Sequence, residues 1–156
     1  MNTESKQQVY DGVSRRVKDL IAGETDFVAV MATVTCELHH AFDYFDWTGF
    51  YRVVEPGLLK IGPYQGTHGC LTIPFERGVC GAAARRRQTQ VVPDIREFPG
   101  YIACSSSSRS EIVVPVITPD GRLVAVLDVD SDQLAAFDEV DQINLENVSS
   151  MVPAVI

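Results

Sequence analysis

Segment 100–115, with the sequence GYIACSSSSRSEIVVP, contains the two residues best suited to chemistry. Cys104 lies in a run of small hydroxyl residues, where no bulky neighbour shields its sulfur. Free backbone N–H groups in such a loop could stabilise a thiolate and lower the thiol pKa from its usual value of about 8.5. Glu111 begins an apolar run seven positions later and could lie in the same cleft. The segment alone is equally compatible with a flexible serine loop that carries an incidental thiol.

Two further cysteines, Cys70 and Cys80, fall on predicted loops or helix starts. Cys80 lies near the start of a short predicted helix, and a helix N-terminus favours a thiolate. Several free thiols on one side of a domain suit thiol–disulfide exchange, in which one thiolate attacks, a second resolves and a reductant resets the pair. The alternative is separate, small buried residues. Cys36 lies off the apolar stripe of its predicted helix and is expected to be a packed bystander.

Acidic residues alternate in the sequence LDVDS, which places Asp128 and Asp130 on one face of a predicted strand. If this strand pairs with the one that begins near Glu111, all three carboxylates face one pocket. They could hold a cation there, or one of them could keep its proton and act as a general acid. The alternative is strand-end carboxylates that only aid solubility. Trp47 and Tyr51 supply aromatic faces that suit either a core or contact with a methyl group or a sulfur.

The composition is that of a soluble globular domain. A chain of 156 residues is expected to form one domain. Its formal net charge of −8 argues against nucleic acid or an anionic membrane as a partner. It contains no run of about 18 apolar residues and no apolar N-terminal signal segment. We therefore expect a cytoplasmic protein with free thiols and no structural zinc site.

Hydrophobic periodicity and turn residues predict four helices and two hairpins. Helices are predicted over 3–21, 25–45, 78–87 and 138–152, with Thr25 as the N-cap of the second. Extended segments are predicted over 47–54, 58–64, 71–74, 90–92, 112–117 and 123–129. The fold class is α+β, with residues 1–45 as a helical pair and residues 46–156 as sheet, pocket loops and closing helix. The terminal helices pack on one face of a central antiparallel sheet of about six strands, and a ligand pocket lies under loops on the other.

The ordered segments WTGFY, IGPYQG, IPFERGVCGAA, TQVVPDI, FPGYIAC, SSRSEIVVPV and LDVDS closely resemble the free methionine-(R)-sulfoxide reductases, which are built on a GAF domain. The resemblance runs from about Ala22 to the last helix and includes three cysteines that a generic GAF domain does not need. It implies a single GAF domain over residues 1–156. It also implies an enzyme that reduces free L-methionine (R)-S-oxide to L-methionine.

The resemblance implies a role for each candidate residue. Cys104 would attack the sulfoxide sulfur and become a sulfenic acid, which Cys70 would resolve as a disulfide, with Cys80 as a possible further relay. Glu111 and Asp130 would bind the substrate and help to protonate the sulfoxide oxygen, with Asp128 nearby. Trp47 and Tyr51 would pack around the methyl group. Backbone N–H groups of Tyr101, Ile102, Ala103 and Cys104 would bind the negative end of the ligand.

The resemblance further implies thioredoxin, or another dithiol, as the external reductant, a homodimer, and neither a bound cofactor nor a metal. Acidic side chains in a closed pocket would select the ammonium of a free amino acid and reject protein-bound methionine. Tyr101 and Ser105 depart from the His and Asp common in the family. Two other functions stay open, a non-catalytic GAF sensor of a small ligand and a thiol redox sensor without a substrate.

Overall fold

The computed structural model describes residues 3–101 and 107–152. Four α-helices and six strands account for most of this part of the chain, together with a short 3₁₀ helix, Ile95–Glu97. The helices are α1 (Thr3–Leu20), α2 (Phe27–His39), α3 (Gly78–Arg86) and α4 (Glu139–Ser149). The strands are β1 (Trp47–Glu55), β2 (Leu58–Gln65), β3 (Thr72–Pro74), β4 (Gln90–Val92), β5 (Ser110–Ile117) and β6 (Leu123–Ser131).

The six strands form one antiparallel sheet in the order β3-β2-β1-β6-β5-β4. The two predicted hairpins, β1–β2 and β5–β6, are both present and meet along β1 and β6. Glu111 of β5 lies directly opposite Asp130 of β6, and Val113 lies opposite Asp128. The predicted α+β fold with six strands is therefore confirmed.

The two faces of the sheet are covered by different helices. Because successive strand residues point to opposite faces, Ile112 and Leu127 join the core under α1, α2 and α4. Val113 and Val126 belong to the second cluster, which includes residues of α3. The terminal helices thus lie on one face, as predicted, and α3 lies on the other. Within the described ranges, no helix is both long and apolar enough to cross a membrane.

Helix α2 is shorter than the sequence predicts. Its N-cap is Asp26 rather than Thr25, and the Asp26 side chain accepts a 2.8 Å hydrogen bond from the backbone N–H of Ala29. The predicted extension to residue 45 is wrong, although Phe42 and Phe45, whose helical spacing favours that extension, are buried. Their rings stack at 4.7 Å in the turns that follow α2. The apolar residues keep helical spacing beyond the end of α2, because a turn can also bury these rings. This spacing therefore made the predicted helix too long.

The closing helix has a complete N-terminal capping box. The side chain of Asp138 accepts hydrogen bonds from the N–H groups of Val140 and Asp141, and Asp141 accepts one from the Asp138 N–H. These bonds satisfy backbone donors that the first helical turn leaves unpaired. The apolar spacing that predicts the first and last helices includes Leu20 of α1 and Ile143 of α4, but these residues are 60% and 58% exposed. The expectation that they lie in the core was wrong, since no neighbouring element covers them.

A buried polar cluster joins α1, α4 and the chain that leads into β1. Lys6 Nζ lies 2.7 Å from Asp141 Oδ2 and 2.8 Å from Asp138 Oδ2. The hydroxyls of Tyr10 and Tyr44 donate to Asp141 Oδ1 at 2.8 Å and 2.7 Å. Asp141 is completely buried, so its charge depends on these partners. The cluster fixes the terminal helices on the face of the sheet opposite α3.

We expect Lys6→Met to destabilise the fold by about 3 kcal/mol, because it leaves a buried carboxylate without its cation. Lys18→Met changes an exposed lysine of the same helix and is expected to alter stability by less than about 0.5 kcal/mol. Chemical denaturation of both variants measures the difference. Equal stability of the two variants would contradict a structural role for the Lys6 cluster.

Candidate functional site

A small cavity of about 40 Å³ lies between α3 and the sheet. Its walls come from elements that are distant in the sequence but adjacent in the fold. The aromatic wall is on β1, the thiol on α3, and the acidic residues on β5 and β6. The lining residues are Trp47, Tyr51, Ile73, Gly78, Val79, Cys80, Tyr101, Ser108, Glu111, Asp128 and Asp130.

Three acidic side chains converge at this cavity because of strand register. Glu111 and Asp130 are directly paired across β5 and β6, and Asp128 lies two residues away on the same face. Glu111 is only 7% exposed and Asp128 only 5% exposed. Among the described residues that line the cavity, none is a lysine or an arginine. The three carboxyl groups therefore share a site without a compensating cation from these walls.

Burial controls the protonation of these acids. It raises the pKa of Glu111 well above the usual value, and the nearby charges of Asp128 and Asp130 raise it further. Burial also raises the pKa of Asp128 to about 7 and raises the pKa of Asp130. Desolvation penalises each charged form, and like charges penalise a second ionisation. The group consequently retains a proton near neutral pH.

Cys80 lies against the acids from α3. Its Sγ is 3.9 Å from Glu111 Oε1, and the residue is only 3% exposed. Burial raises the pKa of this thiol well above normal, and the charges of Asp128 and Glu111 raise it further. The prediction of a Cys80 thiolate at a helix N-terminus is therefore wrong, because desolvation and acidic neighbours outweigh the helix dipole.

Close packing of α3 sets the position of Cys80. A Cβ on Gly81 would lie 2.7 Å from the carbonyl oxygens of Phe75 and Pro74. Only glycine permits this approach, since those neighbours are backbone atoms that cannot rotate away. Helix α3 is buried from Gly78 through Ala84, so Cys80 is held within a rigid wall.

The other cysteines have different environments. Cys70 is disulfide-bonded, partly buried and packed against the same apolar cluster as Trp47. Cys36 is a free thiol exposed on α2, with its Sγ 3.8 Å from His40 Nδ1. The expectation that Cys36 is packed was wrong, because its helix face meets no other element. The predicted site residues Cys104, Ile102 and Ala103 lie outside the described residues.

The aromatic wall is a stack of three rings. Trp47 lies between Tyr51 and Tyr64, with ring centroids 5.8 Å and 5.4 Å away. Trp47 Nε1 donates a 2.9 Å hydrogen bond to the carbonyl of Thr67, which fixes the indole. A Cβ on Gly49 would lie 2.5 Å from Tyr64 Cβ, so the stack requires glycine between them. Tyr64 was not predicted, although its pairing with Gly49 across the first hairpin explains its position.

Tyr101 and Ser108 border the cavity beside the acids. The backbone N–H of Tyr101 donates to the Phe98 carbonyl at 3.1 Å. This N–H is therefore engaged within the chain here, and its predicted role in binding the ligand stays a prediction. Ser108, which the sequence did not single out within its serine run, hydrogen-bonds to the Asp130 side chain. No residue spacing distinguishes Ser108 from the other serines.

One group of side chains in the described part of the chain has the spacing of metal ligands. Cys80, Glu111 and Asp128 each offer one ligand atom, and these atoms lie within 4.8 Å of one another. All three residues are buried. The site can therefore act chemically through proton transfer or through cation binding.

Comparison with known proteins defines the class. The model of the GAF domain family matches residues 24–153. The free methionine-R-sulfoxide reductase of Escherichia coli is 36% identical over 152 residues, which cover 97% of this chain and 91% of that protein. GAF domain-containing protein A of Dictyostelium discoideum is 42% identical over 148 residues, which cover 95% of this chain and 92% of the relative.

Solved structures give the same result. The free methionine-R-sulfoxide reductase from Neisseria meningitidis, in complex with its substrate, superposes with a TM-score of 0.90 at 44% identity and covers 96% of this chain and 89% of that one. The reduced form of the Staphylococcus aureus enzyme has a TM-score of 0.88 at 36% identity, with 94% of each chain covered. The chain therefore belongs to the GAF domain family, in the group that includes these free methionine-(R)-sulfoxide reductases.

We expect Gly81→Ala to destabilise the protein by about 1–3 kcal/mol, because the new methyl group overlaps fixed backbone atoms. In a Cys36→Ser background, displacement of α3 should also speed labelling of Cys80 by a thiol reagent. Gly12→Ala is the matched control, since its new methyl group meets only the flexible side chain of Arg16 at 3.3 Å. Unchanged stability and labelling in Gly81→Ala would refute the packing argument.

Proposed function

We propose that this protein reduces free L-methionine (R)-S-oxide to L-methionine. The observation that carries the proposal is the cavity in which a Trp47–Tyr51 wall faces three acidic side chains. Its volume is small, about 40 Å³, so the proposal places only the reacting end of the substrate among these side chains. Named free methionine-R-sulfoxide reductases match nearly the whole chain, which supports the same assignment.

The acids supply the proton that the reaction needs. A sulfoxide oxygen is a poor leaving group until it is protonated, so a general acid must lie beside it. Glu111 suits this role, because burial raises its pKa and keeps its proton near neutral pH. Asp130, directly opposite Glu111, and Asp128 would help to bind the substrate and share the remaining charge. The methyl group would then contact the rings of Trp47 and Tyr51.

The proposed thiol chemistry begins at Cys104. Its thiolate attacks the sulfoxide sulfur while Glu111 protonates the oxygen, and the oxygen is transferred to the cysteine. Methionine leaves, and Cys104 becomes a sulfenic acid, so the substrate gains the two electrons that the cysteine loses. The thiolate of Cys70 then attacks the sulfenic sulfur, which forms a disulfide and releases water.

The state of the described cysteines supports this order of events. Cys70 is disulfide-bonded, whereas Cys80 is a free thiol in contact with Glu111. A raised pKa makes Cys80 a weak nucleophile, so it is the less suitable resolving residue. Cys80 as a further relay remains the alternative.

A dithiol must complete the cycle, and we propose thioredoxin for this step. Its two thiols would reduce the disulfide through a mixed-disulfide intermediate. The net reaction converts methionine sulfoxide and a dithiol into methionine, a disulfide and water. The expected homodimer and cytoplasmic location stay predictions. Exposed Leu20 and Val28 on the first two helices would be available to a second copy.

Charge makes a nucleotide sensor the weaker alternative. A phosphate would face Glu111, Asp128 and Asp130, and the described cavity walls include no lysine or arginine to bind it. A substrate with an ammonium group and a sulfoxide oxygen suits acidic walls better. Protein-bound methionine lacks that ammonium and would leave a buried acidic group unpaired.

We expect Cys104→Ser to abolish methionine formation, because serine cannot accept the sulfoxide oxygen. The measurement is methionine produced from the free R epimer with dithiothreitol or thioredoxin. Cys36→Ser should retain full activity, since Cys36 lies on the opposite side of the sheet. Turnover by Cys104→Ser, or no turnover by folded and reduced wild-type protein, would end the proposal.

We expect Glu111→Gln to lower kcat by about 10²–10⁴, because an amide can form hydrogen bonds but cannot donate a proton to the leaving oxygen. Steady-state kinetics with the free R epimer measures this change. Glu55→Gln replaces an exposed glutamate at the end of β1 and should leave kcat unchanged. A Glu111→Gln variant with wild-type kcat would remove the proposed acid.

A further inference from the structure

We propose that the cavity is also a binding site for a divalent d-block cation of the Zn²⁺ type, with Cys80, Glu111 and Asp128 as its ligands. The three ligand atoms come from α3, β5 and β6, so the site exists only in the folded chain. Cation binding requires no redox change. It displaces the protons of the ligands into solvent.

The spacing of the ligand atoms fits a tetrahedral ion. Bonds of about 2.3 Å to sulfur and about 2.1 Å to oxygen place the two ligand atoms about 3.6 Å apart. Cys80 Sγ and Glu111 Oε1 are 3.9 Å apart, so this pair is already close to that separation. All three atoms lie within 4.8 Å of one another, and small side-chain rotations would bring Asp128 into range.

A buried oxygen atom in the cavity also favours the binding of a cation. Asp128 is 5% exposed, and its Oδ1 has no hydrogen-bond partner within the described part of the chain, although the carboxyl group as a whole hydrogen-bonds to Cys80 and Glu111. A buried oxygen without a donor costs free energy, and a cation at the cavity would satisfy it. The described walls supply no lysine or arginine for this purpose.

The donor set selects the class of metal. Mg²⁺ and Ca²⁺ prefer sites made entirely of oxygen ligands, whereas a thiolate with two carboxylates suits a borderline ion such as Zn²⁺. A cation deprotonates the thiol that it binds, so a normally neutral Cys80 can still serve as a ligand. The cavity of about 40 Å³ leaves room for water at the fourth position.

Occupancy would regulate the reductase, and this consequence rests on the proposed function. A cation bound to Glu111 occupies the position of the sulfoxide oxygen and blocks proton donation. Zn²⁺ should therefore compete with methionine sulfoxide, raising the apparent KM while kcat stays unchanged.

The binding site can be tested without turnover, in the disulfide form in which Cys80 is a free thiol. Co²⁺ is the spectroscopic probe, because thiolate ligation produces a sulfur-to-cobalt charge-transfer band. We expect oxidised Cys36→Ser protein to bind one equivalent of Co²⁺ with this band and to release it to Zn²⁺. Cys36→Ser/Cys80→Ser should lose the band, and Asp128→Asn should weaken binding, whereas Asp132→Asn, at an exposed position, should not.

Two results would overturn the cation site. One is folded Cys36→Ser protein that gives no charge-transfer band. The other is a band that persists in Cys36→Ser/Cys80→Ser protein. Denaturation of each variant, which measures its free energy of unfolding, is the control that the variants are folded. Zn²⁺ binding without competition against methionine sulfoxide would refute the regulatory consequence. Protein that binds Co²⁺ through Cys80 but reduces no sulfoxide would refute the proposed function and support the cation site.

Discussion

The pairing of β5 with β6 is the constraint on which the site depends. Glu111 lies opposite Asp130, and both side chains point to the cavity face of the sheet. Because side chains alternate along a strand, Asp128 points to the same face. A slip of one residue would send these acids into the core under the terminal helices and turn Ile112 and Val129 toward the cavity. The hydrophobic cost of that exchange fixes the register. The same alternation that builds the core therefore also assembles the acidic site.

Concentrating acids in an apolar wall opposes folding, and the protein limits this cost through protonation rather than ion pairing. Burial raises the pKa values of Glu111, Asp128 and Asp130, so that fewer charges have to be desolvated together. The opposite face uses the other solution, since Asp141 there is fully buried but paired with Lys6 and two tyrosines. The acidic side chains at the cavity therefore hold protons that can take part in a reaction. On the helical face, the ion pair and hydrogen bonds of Asp141 hold the helices in place instead.

Local sequence patterns predicted the sheet and much of the site because both follow from short-range rules. The sequence LDVDS places Asp128 and Asp130 on one face, and the turn at Pro119-Asp120-Gly121 brings Glu111 beside them. The end of α2 was not predictable, because buried rings at helical spacing also pack from turns. The protonation of Cys80 could not be derived from its helix position, since it depends on acids from other strands. Two further contacts could not be predicted, because they form only when distant elements assemble. They are the stacking of Tyr64 on Trp47 and the hydrogen bond between Ser108 and Asp130.

A single turnover without reductant shows which cysteines take part in the reaction. Fully reduced protein is mixed with excess free methionine (R)-sulfoxide, and both the methionine formed and the linked cysteine peptides are measured by mass spectrometry. We expect one methionine per chain, a new disulfide between Cys70 and Cys104, and an unmodified Cys80. Methionine formation without that disulfide, or a disulfide that contains Cys80 in its place, would contradict the proposed thiol chemistry.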